Sequence, residues 1–365
     1  MGVLNPTFTG QLTKMVKKIT QFLLFLGLGV VIMAMVFRSQ NAAFQEQCHL
    51  DGIPTDQCSL ADKLWSDFSS VNLGWMLLVV LAFSLSVVFR ALRWQMLFEP
   101  MGYRIRFGNS LLTILLGYFA NLGFPRMGEV VRAGSLARYE KIPLEKVMGT
   151  MVVDRLMDFL CLGLVVGLAF VVEGDTLWQF ITQKQLKSNV ASDGGLLSST
   201  LLLSVLLLFL AMVVAFWVFR KNINNMPVFQ KVSTLLRGFW DGLRSVVLLK
   251  NPPLFVVYSL GIWAMFYLQC YFNLKAFAPT AGLGPFAALM VFVFGTLGMV
   301  APSPGGMGTF HALAIAGLAL YNIRGADAFS YANIAFFAIG IFYNIVAGVL
   351  ALVLLPVINK QKETA

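Results

Sequence analysis

Apolar runs of about twenty residues recur along the chain, and each is long enough to cross the hydrocarbon core of a bilayer as a helix. Two further apolar stretches, Phe107–Phe124 and Gly282–Tyr321, are broken or ended by glycine and proline. The uninterrupted runs are Gln21–Phe37, Leu73–Leu92, Lys146–Val172, Leu196–Phe219, Leu254–Phe277 and Tyr331–Val357. The pattern predicts an all-α fold, a polytopic membrane helical bundle with about six full spans.

Charged residues between the runs orient the chain. Three lysines precede the first run, whereas residues 38–72 carry five acidic and two basic side chains. Basic residues return after the second and fourth runs and in the tail. Because lysine and arginine collect in cytoplasmic loops, we expect a multi-pass membrane protein with both termini cytoplasmic, a retained first helix and an outer loop at 38–72.

The two broken stretches do not fit this alternation as full spans. Both ends of residues 107–138 favour the cytoplasm, and both ends of residues 277–331 favour the outside. Each stretch should therefore enter and leave on one side, as two oppositely oriented re-entrant helical hairpins with tips at Gly123–Glu129 and Ala301–Gly308. Paired broken helices of opposite orientation are found in inverted-repeat transporters, around a site near the bilayer midplane.

Composition agrees with a single membrane domain. The 365 residues are 58% hydrophobic and 12% charged, and no polar stretch is long enough for a soluble domain. The net charge of +10 fits cytoplasmic loops and anionic lipid, and without a continuous basic face we do not expect nucleic-acid binding. Residues 1–365 are interpreted as one integral membrane domain. The spacing of apolar residues in 226–250 predicts either an interfacial amphipathic helix or a helix packed on the bundle.

Sequence motifs for catalysis and metal binding are missing. There is no metal-ligand cluster, P-loop or persuasive catalytic triad, so we expect a non-enzyme with no cofactor or metal. Cys48 and Cys58 lie in the predicted outer loop, where they either form a disulfide or remain free thiols.

The first hairpin break carries charges at helical spacing. Arg126, Glu129 and Arg132 follow Pro125 at intervals of three residues and would share one face of a resumed helix. The start of that helix would attract an anion such as phosphate, and Glu129 would either position the arginines or bind an amine. The alternative is an ordinary basic cytoplasmic loop.

A second charged group lies inside the third uninterrupted run. Asp154, Arg155 and Asp158 are costly within a span and should pair across the bundle interior, unless they are merely solvated near the cytoplasmic helix end. The available partners are Arg90, Arg93, Arg126 and Arg132. Arg90 and Arg93 themselves end the second run, as either interfacial anchors or contacts to lipid phosphates.

The second hairpin break is rich in small residues that would allow a substrate or helix to approach closely. The residues assigned to it are Ser303, Gly305, Gly306, Gly308 and His311. His311 would either relay a proton or remain neutral and hydrogen-bonded to a neighbouring helix.

Three motifs occur together in this order. Asn121–Glu129 reads N-x-x-x-P-R-x-G-E, Asp154–Asp158 reads D-R-x-x-D, and Ser303–Phe310 reads S-P-G-G-x-G-x-F. From about the second run to the C-terminus, the chain resembles the flippase-like transmembrane domain of lysylphosphatidylglycerol synthases, including its stand-alone relatives. The resemblance implies transport of a lipid with a charged headgroup between leaflets, without the soluble aminoacyl-transferase domain of the full synthases. It also implies a bacterial inner (plasma) membrane, which would make the 38–72 loop periplasmic.

The resemblance also assigns the headgroup site. It implies that Arg126, Glu129, Asp154, Arg155 and Asp158 form it, with Arg132 directly after the first motif. The family often has glutamate where this chain has His311, so membrane lipids with an anionic or polyprenyl-linked headgroup fit at least as well as an aminoacylated one. The alternatives are a membrane-embedded transferase acting on a lipid-linked substrate and a non-catalytic partner of an envelope enzyme.

Overall fold

The regular structure of the described residues is entirely helical, as the hydrophobic pattern predicts. The computed structural model describes residues 59–123, 127–188, 248–300 and 306–360, with four single positions between residues 37 and 45. The helices are α1 (Leu60–Ser69), α2 (Leu73–Met96), α3 (Phe107–Gly123), α4 (Met127–Glu140), α5 (Leu144–Ser188), α6 (Pro252–Ala276), α7 (Pro285–Val300), α8 (Thr309–Ala319), α9 (Gly325–Ala335) and α10 (Asn344–Lys360). A π-helical segment, Phe336–Tyr343, joins α9 to α10.

Long apolar helices account for four of the six predicted spans. Within the described ranges, the helices long and apolar enough to cross a membrane are Leu73–Met101, Leu144–Gly174, Pro252–Ala276 and Gly325–Asn359. The predicted spans Gln21–Phe37 and Leu196–Phe219 fall outside these ranges, apart from Phe37. So do Cys48, Cys58 and nearly all of residues 226–250, and those predictions stay untested.

Helix α1 replaces the end of the predicted 38–72 loop with regular structure. The hydroxyl of Ser59 caps it by accepting from the Asp62 N–H at 3.2 Å, and Leu60 packs with Phe329 of α9. Lys63 pairs with Asp67 at 3.0 Å and with Asp327 at 2.9 Å. Partial burial alone lowers the pKa of Lys63, but these two carboxylates outweigh burial and raise it. The Lys63–Asp327 pair therefore links α1 to the start of α9, while the Lys63–Asp67 pair lies within α1.

Both predicted hairpins are present as pairs of packed helices. In the first, α3 ends at Gly123 and α4 begins at Met127, so the break falls at the Pro125 motif. In the second, α7 ends at Val300 and α8 begins at Thr309, on either side of the Pro- and Gly-rich tip. Proline explains both breaks because it cannot continue a helix that began before it. The side from which each hairpin enters the membrane stays a prediction.

The packing of these helices is reciprocal between the two halves of the chain. Among the described residues after α1, each half runs span, hairpin, span: α2, α3–α4, α5 in the first, and α6, α7–α8, α9–α10 in the second. The two opening spans, α2 and α6, pack on each other. The closing span of each half packs on the first hairpin helix of the other, α5 on α7 and α10 on α3. Such an exchange of contacts is typical of an internal structural repeat, which stays a prediction.

Glycines bring the two helices of the first hairpin together. Gly117 of α3 and Gly128 of α4 face each other, and the Gly128 N–H donates to Asn121 Oδ1 at 2.8 Å. A Cβ atom on Gly128 would overlap both the Gly117 carbonyl oxygen and the Asn121 amide. The close approach thus depends on the missing side chain at this position.

Polar side chains form hydrogen bonds at the base of this hairpin, the end away from its tip. Glu140, the last residue of α4, accepts from the Arg106 N–H at 3.1 Å and from the Asn109 amide at 2.5 Å. Asn359 of α10 in turn donates to Asn109 at 2.8 Å. The base of the first hairpin is therefore tied to the closing span of the other half.

Replacing Gly128 by alanine should destabilise the fold by roughly 1–3 kcal/mol, because the added methyl group overpacks the α3–α4 contact. Gly134, on the same helix, has open space where a Cβ would stand, so Gly134→Ala should be neutral or slightly stabilising. Thermal unfolding of the two purified variants in detergent measures the difference. Equal melting temperatures would contradict the close packing described above.

Candidate functional site

Helix α2 places two arginines inside the bundle. Arg90 is 5% exposed and Arg93 is fully buried, so neither is the interfacial anchor that the sequence allowed as one interpretation. Their three-residue spacing puts both guanidinium groups on the face of α2 that meets α5 and α6. Arg93 also donates to the Ser259 hydroxyl of α6 at 3.3 Å.

Helix α5 supplies the carboxylates that these arginines bind. Arg90 Nη1 lies 3.2 Å from Asp154 Oδ2 and 3.0 Å from Asp158 Oδ2. Arg93 Nη2 pairs with Asp154 Oδ1 and lies 2.8 Å from Asp158 Oδ1. Because the Asp154 side chain is 1% exposed, the alternative of a solvated group at the helix end is wrong for this residue.

Helix α4 adds a third arginine from the first hairpin. Arg132 is 5% exposed, and its Nη1 lies 3.2 Å from Asp154 Oδ2. Its guanidinium carbon stands 3.8 Å from the ring centroid of Trp94, a cation–π contact. Trp94 is itself buried and donates from Nε1 to Thr150 Oγ1 at 3.0 Å, which fixes the plane of the indole ring.

These five side chains form one buried ion cluster: Arg90, Arg93, Arg132, Asp154 and Asp158. Three guanidinium groups meet two carboxylates, so among the described residues one positive charge is left unbalanced. Asp154 stands ten residues, about 15 Å, after the start of α5, within a helix long and apolar enough to cross a membrane. An excess charge in such a place is costly unless an anion balances it.

A more exposed ion pair borders the cluster. Arg155 Nη2 lies 2.6 Å from Glu129 Oε1, and the side chains are 45% and 42% exposed. Arg155 also approaches Asp158, with Nη1 at 3.8 Å from Oδ2. Glu129 therefore meets α5 through Arg155, while Arg132, one turn further along α4, meets it through Asp154. Sequence reasoning placed these residues in one site, and the structure brings them together on the α4–α5 contact.

Arg126 lies outside the described residues, so its part in the site remains a prediction. Helix α4 resumes at Met127, close to the expected position. Asn121, named by the resemblance, holds the hairpin by accepting from Gly128 and makes no described contact with the ion cluster.

The second hairpin places His311 in a neutral setting. Its side chain is fully buried, and its ring centroid lies 4.9 Å from that of Phe336 in the π-helical segment. Nδ1 accepts from the Gly308 N–H at 3.4 Å, which an imidazolium with both nitrogens protonated could not do. Because this hydrogen bond lies within the second hairpin, it tests neither the proton relay nor the hydrogen bond to a neighbouring helix, and both stay predictions. Gly306 and Gly308 adopt φ angles of +81° and +82°, while Ser303 and Gly305 lie outside the described residues.

Trp94, Thr150 and Ser259 were not identified as site residues from sequence. Thr150 precedes Asp154 by four residues, so helical spacing put it on the same face. Trp94 follows Arg93 directly at the end of the second run, where a tryptophan is typical of an interfacial anchor. Ser259 carried no local signal, because its role depends on α6 packing against α2.

A bundle of long apolar helices around a buried ion cluster defines an integral membrane protein with a polar site within its spans. The family model for the lysylphosphatidylglycerol synthase TM region matches residues 60–348, and the chain belongs to this family. A UPF0104 membrane protein of Methanocaldococcus jannaschii is 38% identical over 105 residues, which cover 26% of this chain and 31% of that protein. The chain thus aligns with about a third of that relative. No solved structure shows significant similarity to the chain.

Asp154→Asn should be strongly destabilising, by about 3–5 kcal/mol, because it leaves three buried guanidinium groups facing one carboxylate. Adding Arg132→Met should recover part of the loss by removing one of the uncompensated charges. Thermal unfolding in detergent compares both with Asp62→Asn, an exposed aspartate of α1 expected to change stability by less than about 0.5 kcal/mol. An Asp154→Asn variant as stable as the control would mean that the cluster does not hold the helices together.

Proposed function

We propose that this protein is a lipid flippase that moves a phospholipid or lipid-linked headgroup between the leaflets of the plasma membrane. The observation that carries the proposal is the unbalanced positive charge of the ion cluster, about 15 Å along a membrane span. A headgroup that crosses the bilayer needs a polar site within it, and an anionic headgroup would complete the charge of this one.

The position of the cluster suits a passing headgroup. It is built on two spans and on the first hairpin, and its borders become more exposed from Asp154 through Asp158 to the Glu129–Arg155 pair. A headgroup would enter past the half-exposed pair and meet the arginines, while its acyl chains stay in lipid. The membrane lipid is the expected partner, and its headgroup is anionic.

The two halves of the helical bundle are the elements that would move during transport. Many transporters alternate access by rocking one repeat against the other around a fixed site near the midplane. Here each hairpin packs on the closing span of the opposite half, so movement of one half displaces the hairpin of the other. No ATP-binding motif occurs in the sequence, and the driving force would be the lipid gradient, the membrane potential or protons.

The Glu129–Arg155 pair gives a test that spares the fold. Glu129→Gln removes a half-exposed ion pair, which should cost at most about 1 kcal/mol of stability. It should nevertheless slow transport by about tenfold, because the pair borders the route to the arginines. The assay uses purified protein in liposomes with fluorescent phosphatidylglycerol, and the fraction of probe reduced by external dithionite reports flipping.

Glu145→Gln, in the first turn of α5, is the matched control and should flip lipid at the wild-type rate. A folded Glu129→Gln variant with wild-type transport would refute the site assignment. Mass spectrometry of the recovered lipid separates the transferase alternative, because a transferase changes the mass of the product whereas a flippase changes only its leaflet.

A further inference from the structure

Arg132 is the most incompletely bonded member of the ion cluster. Its Nη1 binds Asp154, but Nε and Nη2 are buried and have no hydrogen-bond partner among the described residues. Burying a charged donor without a partner is expensive, so a native site that keeps two such atoms side by side calls for a ligand.

The two open atoms belong to one edge of the guanidinium group. The Nε–H bond and one N–H bond of the adjacent Nη2 are parallel and point away from the side of the guanidinium plane that carries Cδ. Two parallel donors on this edge can bind two oxygens of one phosphate or carboxylate. Nη1, on the same side of the plane as Cδ, is the atom that donates to Asp154. The carboxylate therefore holds the arginine without using the edge best suited to a two-oxygen ligand.

Trp94 fixes the direction of that edge. Its ring lies under the guanidinium at 3.8 Å and is itself held by the hydrogen bond to Thr150. Stacking restricts rotation of the Arg132 plane, so the Nε–Nη2 edge is presented in one orientation before any ligand arrives. Trp94 is a positioning residue here, and it acts through Arg132.

The geometry points to a bidentate oxyanion site on the Nε–Nη2 edge of Arg132, which takes two terminal oxygens of a lipid headgroup phosphate. The inference rests on the proposed function for the choice of lipid, and free phosphate shares the same chemistry. A singly charged phosphate group would also neutralise the excess charge of the cluster, so one interaction satisfies both the open hydrogen bonds and the charge.

The test measures binding to the full-length protein in detergent with two probes, dihexanoylphosphatidylglycerol and inorganic phosphate, at constant ionic strength. Arg132→Lys keeps the charge but cannot offer two parallel N–H groups, so its affinity for the lipid should fall about tenfold or more. The affinity of Arg132→Gln for the lipid should fall at least as far. Arg138→Gln, an exposed arginine on the same helix, should bind within about twofold of wild type. Lipid affinity unchanged in Arg132→Lys would overturn the edge-specific site.

A measurement on the wild-type protein covers the case in which Arg132 variants do not fold. The measurement is a spectrum of arginine Nε–H groups, in which the Arg132 resonance is assigned through the loss of its ring-current shift in Trp94→Leu. This resonance should move when the short-chain lipid is added. No shift at saturating lipid would overturn the proposal. A shift with inorganic phosphate alone would assign the site to free phosphate and not to a headgroup.

The flipping assay separates this inference from the proposed function. If Arg132→Lys binds the lipid as wild type does while lipid still crosses liposome membranes, the edge-specific site is wrong and the flippase proposal stands. If Arg132→Lys loses affinity but wild-type protein moves no lipid, the oxyanion site stands and the flippase proposal fails.

Discussion

The arrangement of the first half of the molecule depends on one buried carboxylate. Asp154 pairs with two arginines from α2 and one from α4. A single side chain of α5 therefore joins its own helix to a span and to the first hairpin. In a medium of low dielectric constant none of these arginines could stay charged and unpaired. The contact of the hairpin with the bundle is thus an electrostatic requirement as well as a packing one.

This constraint explains how a substrate could act on the structure. The first hairpin is held at its base by neutral amides and Glu140, near its tip by glycine contacts, and at Arg132 by charge. The last of these contacts uses Nη1 of Arg132 and leaves the Nε–Nη2 edge open among the described residues. A phosphate on that edge would add a second anion to the same guanidinium, so ligand binding and the α4–α5 contact would depend on one side chain.

Hydrophobic periodicity and helix-breaking residues carried enough information for four spans, both hairpins and the ends of their helices. Arg90, Arg93 and Arg132 were among the four partners that the sequence offered for the aspartates, because an ionisable group within a span needs a partner and few were available. The sequence did not decide between them. The roles of Trp94, Thr150 and Ser259 did not follow from the sequence. They depend on which helix faces rotate toward each other, and that is decided by packing over distant parts of the chain rather than by local pattern.

The two halves of the molecule share their packing but differ in charge, and this difference has a functional consequence. Glu129 is the third residue of α4 and His311 is the third residue of α8, so the repeat places them at corresponding positions. Glu129 borders a charged cluster, whereas His311 is neutral and surrounded by aromatic rings. In the proposed flippase, the charged side chains that bind the anion all belong to the first half. The two halves would move alike, but only the first would contribute binding energy for the anion.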